Sequence, residues 1–275
     1  MFVPGHITGF FRIHREKDPL RTGSTGVGIT VDKGVTTEVR SGEGRIYFND
    51  REMDLCPTKE ILNNMGIEGY DVIHKSQLPL GCGLGVSGGC ALGCAYELGR
   101  IMDPQMNKLE LLKIAHISEV RCGTGLGDVM GQYFGGFTIR KKPGFPPDVK
   151  KINIKDKDRY YIVVEILGKR ETRDVIEDPN WIEKINKVGD RLLKEILKNP
   201  TLENFMALSY IFVKETGLAS EEILSLCEDL SFSRGASQAM LGDTLFVLCT
   251  DEEIKDVLSV LKNPIICRIY EGKHG

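Results

Sequence analysis

Residues 79–89 read Pro-Leu-Gly-Cys-Gly-Leu-Gly-Val-Ser-Gly-Gly, and the residues up to Gly99 continue with mostly small side chains. Glycines at 81, 83 and 85 allow φ values closed to other residues and let a backbone approach a ligand closely. The small-residue run from 87 to 99 predicts a tightly packed helix. Its first free N–H groups and the positive end of its dipole point back at the loop, an arrangement suited to an anion such as phosphate. Ser87 is placed either to cap that helix or to offer its hydroxyl to a magnesium ion. From the loop alone, a turn made only for packing remains open. So does the dinucleotide pattern G-x-G-x-x-G, which Gly83 to Gly88 satisfies. That pattern asks for an acidic residue about 20 positions on, where the chain offers only Asp103 in an expected helix-end turn. The Lys-Ser/Thr ending of a Walker A loop is absent.

The 275 residues suffice for two modest domains. A net charge of −3 and a pI near 6.0 give no pull toward nucleic acid or an anionic membrane. No apolar run reaches the ~18 residues of a membrane span, and the N-terminus does not read as a targeting segment, so a cytoplasmic protein is expected. The eight cysteines show no C-x-x-C spacing and are expected to be small buried packing residues.

Strands are expected at 28–32 and 35–39 around a turn at Lys33-Gly34, at 45–49 and at 71–74, with a helix from Thr58 to Met65. Helices are expected at 87–99 and 108–120, then a short helix near Val129 and a strand over 136–140. The Lys-, Asp- and Pro-rich stretch 141–158 suggests a boundary between domains 1–150 and 151–275. Beyond it the pattern predicts a strand at 160–167, helices at 180–198, 201–215 and 220–230, a loop at 235–242, a strand at 244–249, a helix at 252–262 and a strand at 265–269. That order suggests an α+β sandwich with helices on one sheet face.

The segment from Pro79, opening a small-residue helix, is similar to the second signature of the GHMP kinases (galacto-, homoserine, mevalonate and phosphomevalonate kinases). Val3-Pro-Gly-His6 resembles their first signature, with histidine where Lys or Arg is usual. Glu119 and Asp128 resemble the family's metal-binding glutamate and its catalytic aspartate, and Gly135-Gly136 the pair that ends that segment. Arg234 to Gly242 resembles the third, glycine-rich signature, although Ser237, Gln238 and Met240 replace several glycines. Within the family the nearest likeness is to the archaeal pantoate kinases. It rests on residues 4–10, 23–26, Gly85-Val-Ser-Gly-Gly89, Glu171-Thr-Arg-Asp174 and 236–242.

The resemblance implies a two-domain α+β fold, with an N-terminal domain like ribosomal protein S5 domain 2, a ferredoxin-like C-terminal domain and a cleft between them. It implies ATP and Mg2+ as cofactors and pantoate as the phosphoryl acceptor. Pro79, Gly81, Gly83, Leu84, Gly85, Val86, Ser87, Gly88 and Gly89 would bind ATP. Ser87 and Glu119 would hold the metal, with Asp128 as base. Ser24, His116, Arg140, Thr172, His6 and Arg21 are the candidates on the substrate side; a carboxylate calls for an arginine fork, with Arg140 the first choice and Arg21 the substitute. Open alternatives are a relative acting on homoserine, mevalonate or shikimate, an NAD-dependent oxidoreductase, and a non-catalytic nucleotide-binding regulator. No nucleic-acid or membrane partner is expected, and a homodimer is compatible with the resemblance.

Overall fold

The computed structural model describes residues 1–169 and 172–272. Two sheets are built in succession. The first comprises β1 (Phe2–His14), β2 (Gly23–Ser41), β3 (Ile46–Phe48), β4 (Arg51–Glu52), β5 (Tyr70–Ser76), β6 (Phe137–Arg140) and β7 (Val149–Ile152), in the order β4-β3-β5-β2-β6-β7 with β1 along β2. All pairings are antiparallel except β3 with β5. The second sheet is antiparallel, in the order β11-β8-β10-β9, from β8 (Tyr160–Gly168), β9 (Gly235–Gln238), β10 (Asp243–Thr250) and β11 (Ile265–Arg268). The sheets thus part between Ile152 and Tyr160, and the expected division at residue 150 falls inside β7.

Four helices precede β6: α1 (Cys56–Met65), α2 (Val86–Met102), α3 (Lys108–Cys122) and α4 (Asp128–Phe134). The small residues of α2 let it lie close to its neighbours. A methyl group at Gly93 would sit 2.4 Å from the Thr37 hydroxyl, and one at Gly99 would sit 2.5 Å from Leu111. Each glycine costs a helix interior about 1 kcal/mol relative to alanine, so close packing offsets a local penalty. The later helices are α5 (Thr172–Ile176), α6 (Pro179–Lys198), α7 (Leu202–Thr216), α8 (Glu221–Asp229) and α9 (Ile254–Val260).

One core joins the two sheets through α6 and α7. Phe205 of α7 lies at its centre, fully buried, with ring centroids 5.4 Å from Phe137 of β6, 6.0 Å from Phe246 of β10 and 6.4 Å from Phe10 of β1. Gly9 makes room for it, since a methyl group there would lie 2.4 Å from the ring.

Three expectations are corrected. Lys33-Gly34 is no turn: β2 runs through it, and Gly34 pairs with Pro4 of β1 at a register shift, where a Cβ would meet the Val3 carbonyl at 2.1 Å. The loop expected at 235–242 begins as β9. Cys56 and Cys122 are not free packing residues; they form a disulfide between the start of α1 and the end of α3, while Cys82, Cys90, Cys94, Cys227, Cys249 and Cys267 are free and buried. The helix expected at Thr58 begins at Cys56, and the features expected at Glu171 lie outside the described residues.

Phe205→Ala is expected to lower stability by about 3–5 kcal/mol, the range for deleting a buried phenylalanine ring. Chemical denaturation should show one cooperative transition at a lower midpoint, because the lost ring touches both sheets. Two separated transitions would contradict a shared core.

Candidate active site

Gly81, Gly83 and Gly85 have φ of 77°, 72° and 68°, left-handed values that glycine adopts freely. They turn the chain from β5 into α2, with Gly85 at the N-cap. The loop forms one wall of a cleft of about 650 Å³. Pro79, Gly81, Gly83, Leu84, Gly85, Val86 and Ser87 line it, whereas Gly88 and Gly89 are buried in the first turn of α2. The hairpin between β9 and β10 closes against the loop backbone to backbone: a Cβ at Gly83 would lie 2.7 Å from the Met240 carbonyl, and one at Gly242 2.1 Å from the Cys82 carbonyl. The loop belongs to a sheet that is antiparallel around β5's bond to β2, so it lacks the parallel βαβ setting of the dinucleotide fingerprint.

Beneath the loop, Ser87 Oγ donates to Glu119 Oε1 at 2.6 Å, and Thr124 Oγ1 donates to the same oxygen at 2.7 Å. Glu119 is 2% exposed. Burial raises its carboxyl to about 7 despite the two hydroxyl bonds, and the Asp128 charge adds to the rise. A buried carboxylate with hydroxyl partners and, among the described residues, no cation partner is a fitting oxygen donor set for a hard divalent ion whose other ligands are phosphate oxygens and water.

Asp128 opens α4 and lines the cleft. Its Oδ1 lies 2.7 Å from His6 Nδ1. Burial pushes its carboxyl up, but the His6 hydrogen bond and charge, then the Arg140 charge and the Thr8 hydrogen bond, outweigh this and hold it below the usual range. Arg140 is fully enclosed at the end of β6, and burial lowers its guanidinium to about 10, the Asp128 charge opposing the drop. Its Nη2 reaches Thr8 Oγ1 at 3.5 Å, while Nε and Nη1 have no partner among the described residues. Ser24 lies next to it: a Cβ on Gly127 would meet Ser24 Oγ at 2.4 Å and Arg140 Nε at 2.7 Å.

The remaining candidates divide. Thr172 lines the cleft from the start of α5. His116 turns away from the open cleft, because its Nε2 bonds the Thr22 carbonyl at 3.0 Å; helical spacing put it on Glu119's face but could not show the 19–22 loop covering that face. Arg21 is a surface residue beside Glu16, 3.4 Å away, and does not join Arg140. Sequence reasoning missed Thr8, Thr124, Gln132, Lys169 and Arg173. Lys169 lies against Gly81 of the glycine loop, and Arg173 packs on Gly123 and donates Nη2 to the Cys122 carbonyl at 2.7 Å. Gln132 had a usable signal, four residues after Asp128 on the same helix face.

Glu119→Gln removes the charge that burial penalises and keeps an oxygen for Ser87 and Thr124. The folded carboxyl is raised above its unfolded value, so the ligand-free protein binds the extra proton and loses stability as pH rises from about 4.5 to 7. The variant should therefore be more thermostable than the parent above pH 7, with the difference vanishing toward pH 4.5. Thermal midpoints without nucleotide at both ends of that range test this, and a pH-independent difference would refute it.

The chain is similar to known proteins along nearly its whole length. A sequence model described as the GHMP kinases N terminal domain matches residues 56–136. A pantoate kinase of Methanocaldococcus jannaschii is 53% identical over 274 residues, covering 98% of this chain and 100% of its own. One from Thermococcus kodakarensis is 33% identical, covering 98% and 95%. A solved structure described as a phosphotransferase related to the CoA biosynthesis pathway superimposes with a TM-score of 0.86 at 29% identity, covering 99% of this chain and 96% of the other. With that identity spanning both sheets and every segment of the cleft, the chain belongs to the GHMP kinases, in the family of the archaeal pantoate kinases.

Proposed function

We propose that the chain transfers the γ-phosphoryl group of ATP to the 4-hydroxyl of pantoate, yielding ADP and 4-phosphopantoate. The observation that carries the substrate is Arg140: a guanidinium buried near the base, with two nitrogens unpartnered, fits a carboxylate that completes its hydrogen bonds. Leaving such donors unpaired costs about 1–3 kcal/mol each, so a ligand that satisfies them gains affinity and orientation. Ser24 supplies a hydroxyl beside Arg140 and Thr172 one from the cleft wall, and His116 braces the Thr22 carbonyl two residues before Ser24.

The glycine loop and the N-terminus of α2 take the triphosphate. Ser87 and Glu119 would hold Mg2+, which neutralises phosphate charge when bound. Asp128, kept ionised, accepts the acceptor hydroxyl's proton as that oxygen bonds to phosphorus and the bond from the γ-phosphorus to the bridging oxygen breaks, leaving ADP. No covalent carrier is needed. Pro79 to Gly89, Lys169 and Arg173 make up the nucleotide side; Ser24, Arg140, Thr172 and Asp128 make up the acceptor side.

ADP release measured with pantoate, homoserine, mevalonate and shikimate is expected to show turnover of pantoate above the others; no turnover of pantoate would overturn the substrate. Arg140→Met should raise the KM for pantoate by about 10²-fold, the value of roughly 3 kcal/mol for a lost charged pair, with the KM for ATP little changed. A thermal shift with NAD in place of MgATP would instead favour an oxidoreductase.

A further inference from the structure

Behind Asp128 lies a slot shaped around one ring. His6 sits in β1 between two register shifts, at Pro4/Gly5 and Thr8/Phe10, and is entirely buried. Its Nδ1 meets Asp128 Oδ1 at 2.7 Å. Its Nε2 has no partner and is walled by two glycines: a Cβ on Gly28 would come within 2.5 Å of that nitrogen, and one on Gly131 within 2.2 Å. The backbone of the same residue is tied to the phosphate loop, His6 N donating to the Leu84 carbonyl at 3.0 Å. A second tie runs alongside, since Gln132, one turn after Asp128, donates Nε2 hydrogens to the Gly85 carbonyl at 2.7 Å and the Pro4 carbonyl at 2.9 Å.

The chemistry of the ring follows from those contacts. A proton on Nε2 would be a buried donor with nothing to receive it, so the hydrogen belongs on Nδ1, where the carboxylate accepts it. The charged and titratable groups facing this pair are Arg140 from β6, which disfavours a charged ring, and Glu119 from α3, which faces Asp128. Burial is the largest influence on His6 and lowers its affinity for a second proton, outweighing the Asp128 hydrogen bond and charge, which raise it. The fixed positive charge beside the base is then Arg140. A sealed Nε2 also closes the route by which an imidazole would pass a proton onward.

We propose that His6 is a positioning residue: as a neutral Nδ1–H donor it holds Asp128 in register with the phosphate loop, and it neither carries the compensating charge nor relays the proton that Asp128 collects. The proposal rests on Asp128 being the base of the reading above. It goes beyond that reading by assigning His6 no contact with pantoate.

Two variants separate a donor role from simple filling of space. Asparagine at position 6 places an amide N–H near the former Nδ1, whereas glutamine places its amide near the former Nε2, against Gly28 and Gly131. His6→Gln is expected to lose kcat by about 10²-fold, the scale of an ~1 Å misplacement of a catalytic group, with the KM values for ATP and pantoate changed by less than about threefold. His6→Asn should recover at least about tenfold of that loss. Equal loss in both variants, or loss confined to the KM for pantoate, would overturn the proposal. If neither variant folds, two-bond 1H–15N correlation on the unaltered full-length protein labelled at histidine decides. His6 should show a protonated Nδ1 and an unprotonated Nε2 throughout about pH 6–8, the window in which a free imidazole titrates. Protonation of both nitrogens there would make His6 the cation and sink the idea. Unaltered protein that fails to phosphorylate pantoate while showing the expected tautomer would remove the substrate and leave the His6–Asp128 arrangement standing, so the two failures are distinguishable.

Discussion

The contact on which the rest depends is backbone against backbone, where the phosphate loop rests on the hairpin between β9 and β10. Gly83 faces the Met240 carbonyl and Gly242 faces that of Cys82, at separations that leave no space for a side chain on either. Met240 N then donates to the Thr8 carbonyl at 3.0 Å, so the hairpin is also fastened to β1. Three segments distant in sequence meet there: the hairpin of the second sheet, the loop before α2, and the strand that carries His6 and Thr8. The cleft exists because these segments are held in register, and Asp128 takes its place from the same strand.

The charges below the loop show what such a frame must support. Among the described residues, Glu119 is buried with hydroxyl partners and no cation, and Arg140 is buried with two nitrogens unpartnered. Each is a cost to the ligand-free fold, because a charge removed from water needs a partner to recover its hydration. In the proposed reaction a phosphate-bound cation would answer Glu119 and a carboxylate would answer Arg140, so stability withheld from the free protein would become orientation in the complex.

Much of this was legible in the residues. The run 79–99 specified both the loop and the small-residue helix, and α3 and α6 to α8 were readable from their apolar spacing because each buries one face. What stayed hidden required knowledge of distant neighbours. Gly34 signals a turn as readily as an irregularity within a strand, and only its pairing with Pro4 of β1 decides between them. Cys56 and Cys122 are 66 residues apart with no motif, and they meet because α1 packs on α3. His116 has the right helical phase toward Glu119, yet the 19–22 loop occupies that direction. Periodicity reports which face of an element is covered and is silent about what covers it.

The abundance of glycine, 31 residues in the chain, acquires a second explanation at this site. In the phosphate loop glycine is needed for its left-handed φ. Gly28, Gly88, Gly125, Gly127 and Gly131 have no such conformation. Each instead faces a functional side chain: Gly28 and Gly131 the ring of His6, Gly88 the Gln132 amide, Gly125 the Glu119 carboxylate, and Gly127 both Ser24 and Arg140. Large polar groups can be buried this close together only if the backbone opposite them gives up its own side chains. The glycines around Asp128 are therefore the negative image of the buried polar groups, and their spacing in sequence follows the positions of those groups in space.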